Sequence, residues 1–442
     1  MTTKQRIPPR DRDGVLQALR AGVVPRRGLQ YVQVGRAREV EALIKDIDRI
    51  ADGGSGTRFV IGDFGAGKTF FLSLVRSVAL EKGLVTMAAD LNPDRRLYGS
   101  GGQARSLYNE LTRNIATRTR PEGGAMASVV ERFITTALQQ SKASDQPVEA
   151  ILQDRLHSLS ELVGGYDFAQ VIENYWRGHD QGNEQLKADA VRWLRGEFNT
   201  RTDARQALGV RTIIEDDQVY DGLKLLSRFV RLAGYGGLLI CLDELVNLYK
   251  LPHATARNTN YEQILRILND TLQGQAEGTG FVFGGTPETL LDARRGLYSY
   301  QALQSRLSEN TFAAQQGLQD FGGPVIRLAN LSPEDLYILL TKLRHVHAGG
   351  DADKHVLPDS ALPAFLAHCN QRIGAAYFQT PRNTVRAFLD LLSVLEQHPE
   401  LDWQSLIEDI EIGQEPNTEL DEDEQAPSAT PAADDELTSF RL

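Results

Sequence analysis

Apolar positions along the chain follow two rhythms. Four short stretches, "FVI" (59–61), "LVTMAADL" (84–91), "LLICLD" (238–243) and "GFVFGG" (280–285), are apolar almost without a break and of strand length. Around them apolar residues recur every three or four positions, the spacing of one helix face. In "NYEQILRILNDTLQG", Tyr261, Ile264, Leu265, Leu268 and Leu272 form such a face. Strands alternating with helices predict a parallel sheet covered by helices. Residues 57–120 read that way: strand, glycine-rich turn, helix, the strand at 84–91, and a helix from about Ala104.

The alternation then breaks. "AMASVVERFITTALQQ", "PVEAILQDRLHSLSELV", "DFAQVIENYW", "NEQLKADAVRWLRGEF" and "VYDGLKLLSRFVRLAG" all carry helical spacing, so residues 121–233 predict a helical insertion whose core takes Tyr175, Trp176 and Trp193. Strand patterns return with residues 238–243 and 280–285. Beyond Ser332, helical patterns alone remain, the first opened by a Ser cap and Pro333. Upstream, "DGVLQALRAGVVP" is a short helix ended by Gly22 and Pro25. "YVQVGRAREVEALIKDIDRI" reads as a strand-like stretch, a Gly-Arg turn and a helix. The expected organisation is an N-terminal helix and linker (1–33), a first core part (34–120), the insertion (121–233) and a second core part (234–325). A helical lid follows (326–412), for which a winged helix is an alternative form, and then a disordered acidic tail (413–442).

Between the first strand and its helix stands Gly62-Asp63-Phe64-Gly65-Ala66-Gly67-Lys68-Thr69, a full match to G-x-x-x-x-G-K-[ST], followed by Phe70. Glycines let backbone N–H groups turn inward around phosphate oxygens at the positive end of a helix. Lys68 would neutralise the β- and γ-phosphates, and the Thr69 hydroxyl would hold Mg²⁺. A chance glycine-rich turn would not be expected to carry both glycines, Lys-Thr and the right flanks, so ATP binding with Mg²⁺ is expected.

Hydrolysis needs further groups. The strand at 238–243 ends in Asp243-Glu244, which supplies a Mg²⁺-associated carboxylate and a group to polarise the attacking water. Thr286, after the next strand, is placed to sit beside the γ-phosphate; the plain alternative there is a turn made by Gly284 and Gly285. Phosphoryl transfer develops charge that arginines compensate. Arg306 in "YQALQSRLSEN" is the candidate finger. Arg382 in "TPRNTVRAF" is the candidate reaching back from the C-terminal domain, with Arg386 one turn further on. By composition alone each of these is as readily a surface arginine.

Composition narrows the rest. With 41% hydrophobic and 24% charged residues in 442, the chain has the make-up of a soluble globular protein of two or three domains. No apolar run nears the roughly 20 residues of a membrane span, and "MTTKQRIPPRDRDG" offers no export signal. Cys241 and Cys369 form no C-x-x-C pair, which disfavours disulfides and zinc and fits the cytoplasm. His345 and His347, two apart on a helix, face different sides and are not joint ligands. Of the net charge of −11, eight units belong to residues 413–442, where nine acids face Arg441 alone. The body is therefore near neutral, and a local basic surface for DNA stays open.

With these residues in place, the chain resembles an AAA+ ATPase of the origin-recognition and STAND-like branch. "VQVGRAREVE" is similar to that branch's Gly-Arg box, which implies Val34, Gly35 and Arg36 beside the adenine. "GGTPE" resembles its sensor 1, "SRL" its arginine-finger box, and "TPRNTVR" its sensor 2, although Thr380-Pro381 replaces the usual Gly before the Arg. More narrowly, "LRAGVVPRRGLQYVQVGR", "GDFGAGKTFFL", "AVRWLRGE", "GYGGLLICLDELVNLYK" and "FGGTPETL" resemble the ATP-binding proteins of BREX phage defence, the BrxD type. That resemblance covers about residues 14–400 and implies an accessory ATPase, a homo-oligomer, a helicase or other BREX partner, and double-stranded DNA. An origin-recognition-like initiator or helicase loader, and an ATP-binding scaffold without turnover, are the other readings.

Overall fold

The computed structural model describes residues 6–374 and 381–409, so the acidic tail lies outside the described residues. Five parallel strands form one sheet in the order β2-β3-β4-β1-β5: β1 (Gly56–Gly62), β2 (Val85–Asp90), β3 (Leu238–Asp243), β4 (Thr279–Gly285) and β5 (Val325–Leu328). β4 thus lies between the strand that leads into the phosphate loop and the strand that ends in Asp243. β5 is only four residues long, too short for a periodic pattern, and was not expected from the sequence.

Both faces of the sheet are buried, which is why its strands read as unbroken apolar runs. Alternate residues divide between the faces. Val60, Leu239, Cys241 and Val282 pack under α3 (Ala37–Ala51) and α4 (Lys68–Glu81). Phe59, Ile61, Ile240, Phe281 and Phe283 enter the opposite core, where Phe59 stacks on Phe283 at 4.9 Å. Burial pushes the Cys241 thiol up to about 12, as befits an unreactive core residue.

That second core absorbs the insertion. Its six helices, from Met126–Ser144 to Val219–Leu232, bury Phe133, Phe168, Tyr175, Trp193 and Phe229 in one continuous cluster with the sheet residues. With α5 (Gln103–Arg113), the insertion serves as the cover of one sheet face. In Ala254–Leu272 the buried stripe runs through Tyr261, Ile264, Ile267, Leu268 and Thr271. It is turned toward Ile267, and Leu272 in the last turn is left 71% exposed, contrary to the expected face.

The C-terminal core gathers helices Pro333–His347, Ala361–Ile373 and Pro381–Gln397 around Leu340, Phe365 and Phe388. Ser332 and Asp335 form a reciprocal capping box at its start, with Pro333 at the first turn as expected. In the described residues beyond β5 all regular elements are helical, and no wing strands occur there. The N-terminal helix α1 (Pro9–Arg20) belongs to this core through Val15, with Arg20 paired to Asp390 at 3.0 Å. The strand-like stretch near Tyr31 is no strand. Leu29–Val32 form one helical turn (α2), Val32 is buried against the C-terminal helices, and Lys342 Nζ donates to Gln33 O. The expected strand has thus become a strap between the chain's two ends. Among the described residues no helix is long and apolar enough to cross a membrane.

Candidate functional site

The residues of the phosphate loop sit at the carboxyl end of the sheet, where α4 begins. Gly67, with φ 78, is the residue before α4 and offers no side-chain cap. Its left-handed backbone suits glycine, and the first N–H groups of α4 stay open for an anion. Lys68 Nζ donates to Gly62 O and Asp63 O, each at 2.9 Å, and so spans the mouth of the loop. Asn330 Nδ2 donates to Asp63 Oδ2 at 3.2 Å, tying the loop to the chain leaving β5.

Thr69 Oγ1 donates to Asp243 Oδ2 at 2.8 Å, joining the first turn of α4 to the end of β3. Asp243 is buried, and its Oδ1 accepts the N–H of Glu244 at 2.9 Å. Glu244 has φ 60, one of three described non-glycine residues with a left-handed backbone. Such a conformation carries a cost and is held by its surroundings; here Leu245 N–H donates to Gly284 O at 2.9 Å on β4. Thr286 stands at the end of β4, its hydroxyl 3.0 Å from that of Thr289. Asp90 faces Asp243 across the β2–β3 pairing. It keeps more than a third of its surface open, yet the surrounding protein, and then the charge of Asp243, push its carboxyl above the usual range.

Lys68, Thr69, Glu244 and Thr286 border a cavity of about 490 Å³, within the range of small-molecule sites. Phe64, Gly65, Ala66, Gly67, Lys68, Thr69, Glu244 and Thr286 line its polar end, and Phe70 also lines the cavity. Val34 and Arg36 line it from the N-terminal strap, and Pro381 and Arg382 from the C-terminal core. Arg36, with φ 58, donates to Ala66 O and Ala329 O, and burial lowers its guanidinium's pKa. Gly35 lies behind it: a Cβ there would come 3.2 Å from Asp335 Oδ1. Arg386 is exposed and off the cavity wall, so of the two candidates Arg382 is the one beside the cavity. Arg306 is also off the wall; its guanidinium donates to Asn269 Oδ1 and Ala302 O.

Sequence reasoning did not find the apolar end of the cavity. Leu19, Val23, Val24, Val32, Leu331, Leu339 and Val385 come from four separated segments, so no local pattern unites them. One signal was available: the apolar pair Val23-Val24 directly after the stop of α1, where a solvated turn would be polar. Phe70, on the first turn of α4, packs against the C-terminal core and closes this end.

Among known proteins, the family model described as BREX system ATP-binding protein BrxC/D matches residues 7–411. No curated protein matches the chain.

Proposed function

The chain belongs to the BREX system ATP-binding protein family BrxC/D, and from that membership we propose that it hydrolyses ATP as a switch or motor of BREX anti-phage defence, acting with DNA and a helicase partner. One observation carries the hydrolysis: the Thr69–Asp243 bond beside Glu244, at the mouth of a cavity floored by the phosphate loop. The open N–H groups of α4 and Lys68 take the phosphates. The Thr69 hydroxyl and the Asp243 carboxylate are hard oxygen donors side by side, a set that fits Mg²⁺. When held there, the ion would draw off charge from the β- and γ-phosphates. Glu244 orients the water and accepts its proton. Thr286 steadies the water and γ-phosphate, and Arg382 meets the developing charge from the C-terminal side.

The apolar end receives the base, with Val34 and Arg36 along its edge and Gly35 behind them. Because the cavity joins the sheet to the C-terminal helices, bound ATP draws the two together. Hydrolysis then loosens them and changes the surface a partner meets. The direct test is phosphate release from ATP by the purified chain, with Mg²⁺ and with a chelator. Turnover that requires Mg²⁺ is expected; ATP bound without any ADP formed would leave an ATP-binding scaffold instead.

Arg306 serves a neighbouring copy in this reading. A finger supplied in trans can be worth about 10³-fold or more in rate. Specific activity is then expected to rise with protein concentration, and mixing Arg306→Ala with Lys68→Ala should partly restore turnover. Activity independent of concentration, with no rescue on mixing, would make Arg306 a surface residue.

A further inference from the structure

A second cavity, of about 270 Å³, lies along the flank of α4, and Val24 borders both it and the nucleotide cavity. Its α4 side carries Ser73, Arg76 and Ser77, from one turn to two turns beyond Thr69. The end of β2 and α5 form other walls.

Three arginines (Arg26, Arg76 and Arg95) and three acids (Asp90, Glu110 and Glu122) line this cavity, and their pairing among the described residues leaves two of the arginines without a bonded acid. Glu110 is paired with Arg95 at 3.3 Å, and Glu122 with Arg27. Arg26 and Arg76 make no side-chain hydrogen bond or ion pair among the described residues, and Arg76 Nε is shut away from solvent without an acceptor. Asp90 forms no ion pair among the described residues, although the charges of Arg95 and Arg76 act on its carboxyl, so it sets a partial counter-charge that a bound phosphate would have to outweigh. The turn that leads into the Pro121-Glu122 wall, closed by a Thr117–Arg120 bridge, adds Arg118 and Arg120. Both are exposed and unbonded through their side chains among the described residues. A buried donor without a partner calls for an acceptor, and a guanidinium fork matches the oxygens of a phosphate.

We propose that this cavity is a second phosphate-binding site, separate from the phosphate loop, in which Arg76 and Arg26 take the phosphate and the Ser73 and Ser77 hydroxyls assist. Its volume falls below the usual range for whole small molecules, so it admits a phosphate head rather than a nucleoside triphosphate. That phosphate comes either from a small free anion or from a nucleic-acid backbone, whose neighbouring phosphates Arg118 and Arg120 would meet. Since α4 carries Thr69 at one end and Arg76 two turns on, occupancy here bears on the nucleotide site.

The test uses the full chain carrying Lys68→Ala, which silences the phosphate loop. Inorganic pyrophosphate is titrated by calorimetry, and a short labelled DNA duplex by fluorescence anisotropy. Saturable binding of at least one probe is expected, weakened tenfold or more by Arg26→Gln with Arg76→Gln. Pyrophosphate binding without duplex binding assigns a small anion. Duplex binding that also falls with Arg118→Gln and Arg120→Gln assigns the backbone. Should Arg76→Gln unfold the chain, Arg26→Gln alone is expected to weaken binding at least threefold at an unchanged melting temperature. Failure of both probes to bind, or binding untouched by these substitutions, overturns the site. ATP turnover by the wild-type chain is a separate measurement, so its failure would leave this result standing.

Discussion

Glu244→Gln is expected to bind ATP as the wild type does and to turn it over at least 100-fold more slowly. A positioned general base contributes about 10² to 10⁴ in rate, and glutamine keeps the size of the side chain while losing its proton-accepting charge. The backbone should not relax, because the left-handed turn at Glu244 is fixed from both sides. Asp243 Oδ1 holds its N–H, and Gly284 O holds that of Leu245. Lys68→Ala is the contrasting case, since it removes the countercharge to the phosphates and should lose ATP binding itself. Fluorescent-ATP titration and phosphate release, measured on the same preparations, separate the two. Wild-type turnover by Glu244→Gln would mean that another group orients the water.

The polar half of the site was legible because its parts are local. The phosphate loop is eight consecutive residues, and Asp243-Glu244 closes a strand whose apolar run announces burial on both faces. Long-range packing was less legible. The spacing of residues 121–233 gives helices but not what they cover; only the shared core with Phe59 and Phe281 shows that they serve the sheet. Likewise α1 reads as a free amphipathic helix, yet its apolar face meets helices more than 300 residues away. The stretch near Tyr31 misled because its apolar alternation suits a strand, whereas its carbonyl at Gln33 is taken by Lys342. In the sequence Arg382 is the candidate, with Arg386 one turn further on as the alternative. They part through the placement of Pro381–Gln397, which turns Pro381, Arg382 and Val385 to the cavity and leaves Arg386 off its wall.

Gly284→Ala should reduce turnover at least tenfold, although the residue bears no functional group. A methyl built on Gly284 would stand 2.1 Å from Asp243 Oδ1 and 3.0 Å from its Cγ, so the carboxylate must move. Moving it strains both bonds that the carboxylate accepts: the bond from Thr69 to Oδ2 and the bond from Glu244 N–H to Oδ1. Overpacking of this kind costs about 1–3 kcal/mol, so a modest fall in melting temperature should accompany the loss of activity. ATP binding is expected to suffer less, because the phosphate loop and Lys68 are not displaced directly. Phosphate release, ATP titration and thermal melting on one preparation distinguish these effects. Wild-type turnover in Gly284→Ala would show that the Asp243 carboxylate has room to shift without consequence, and the tight seat between β3 and β4 would then have no part in the chemistry.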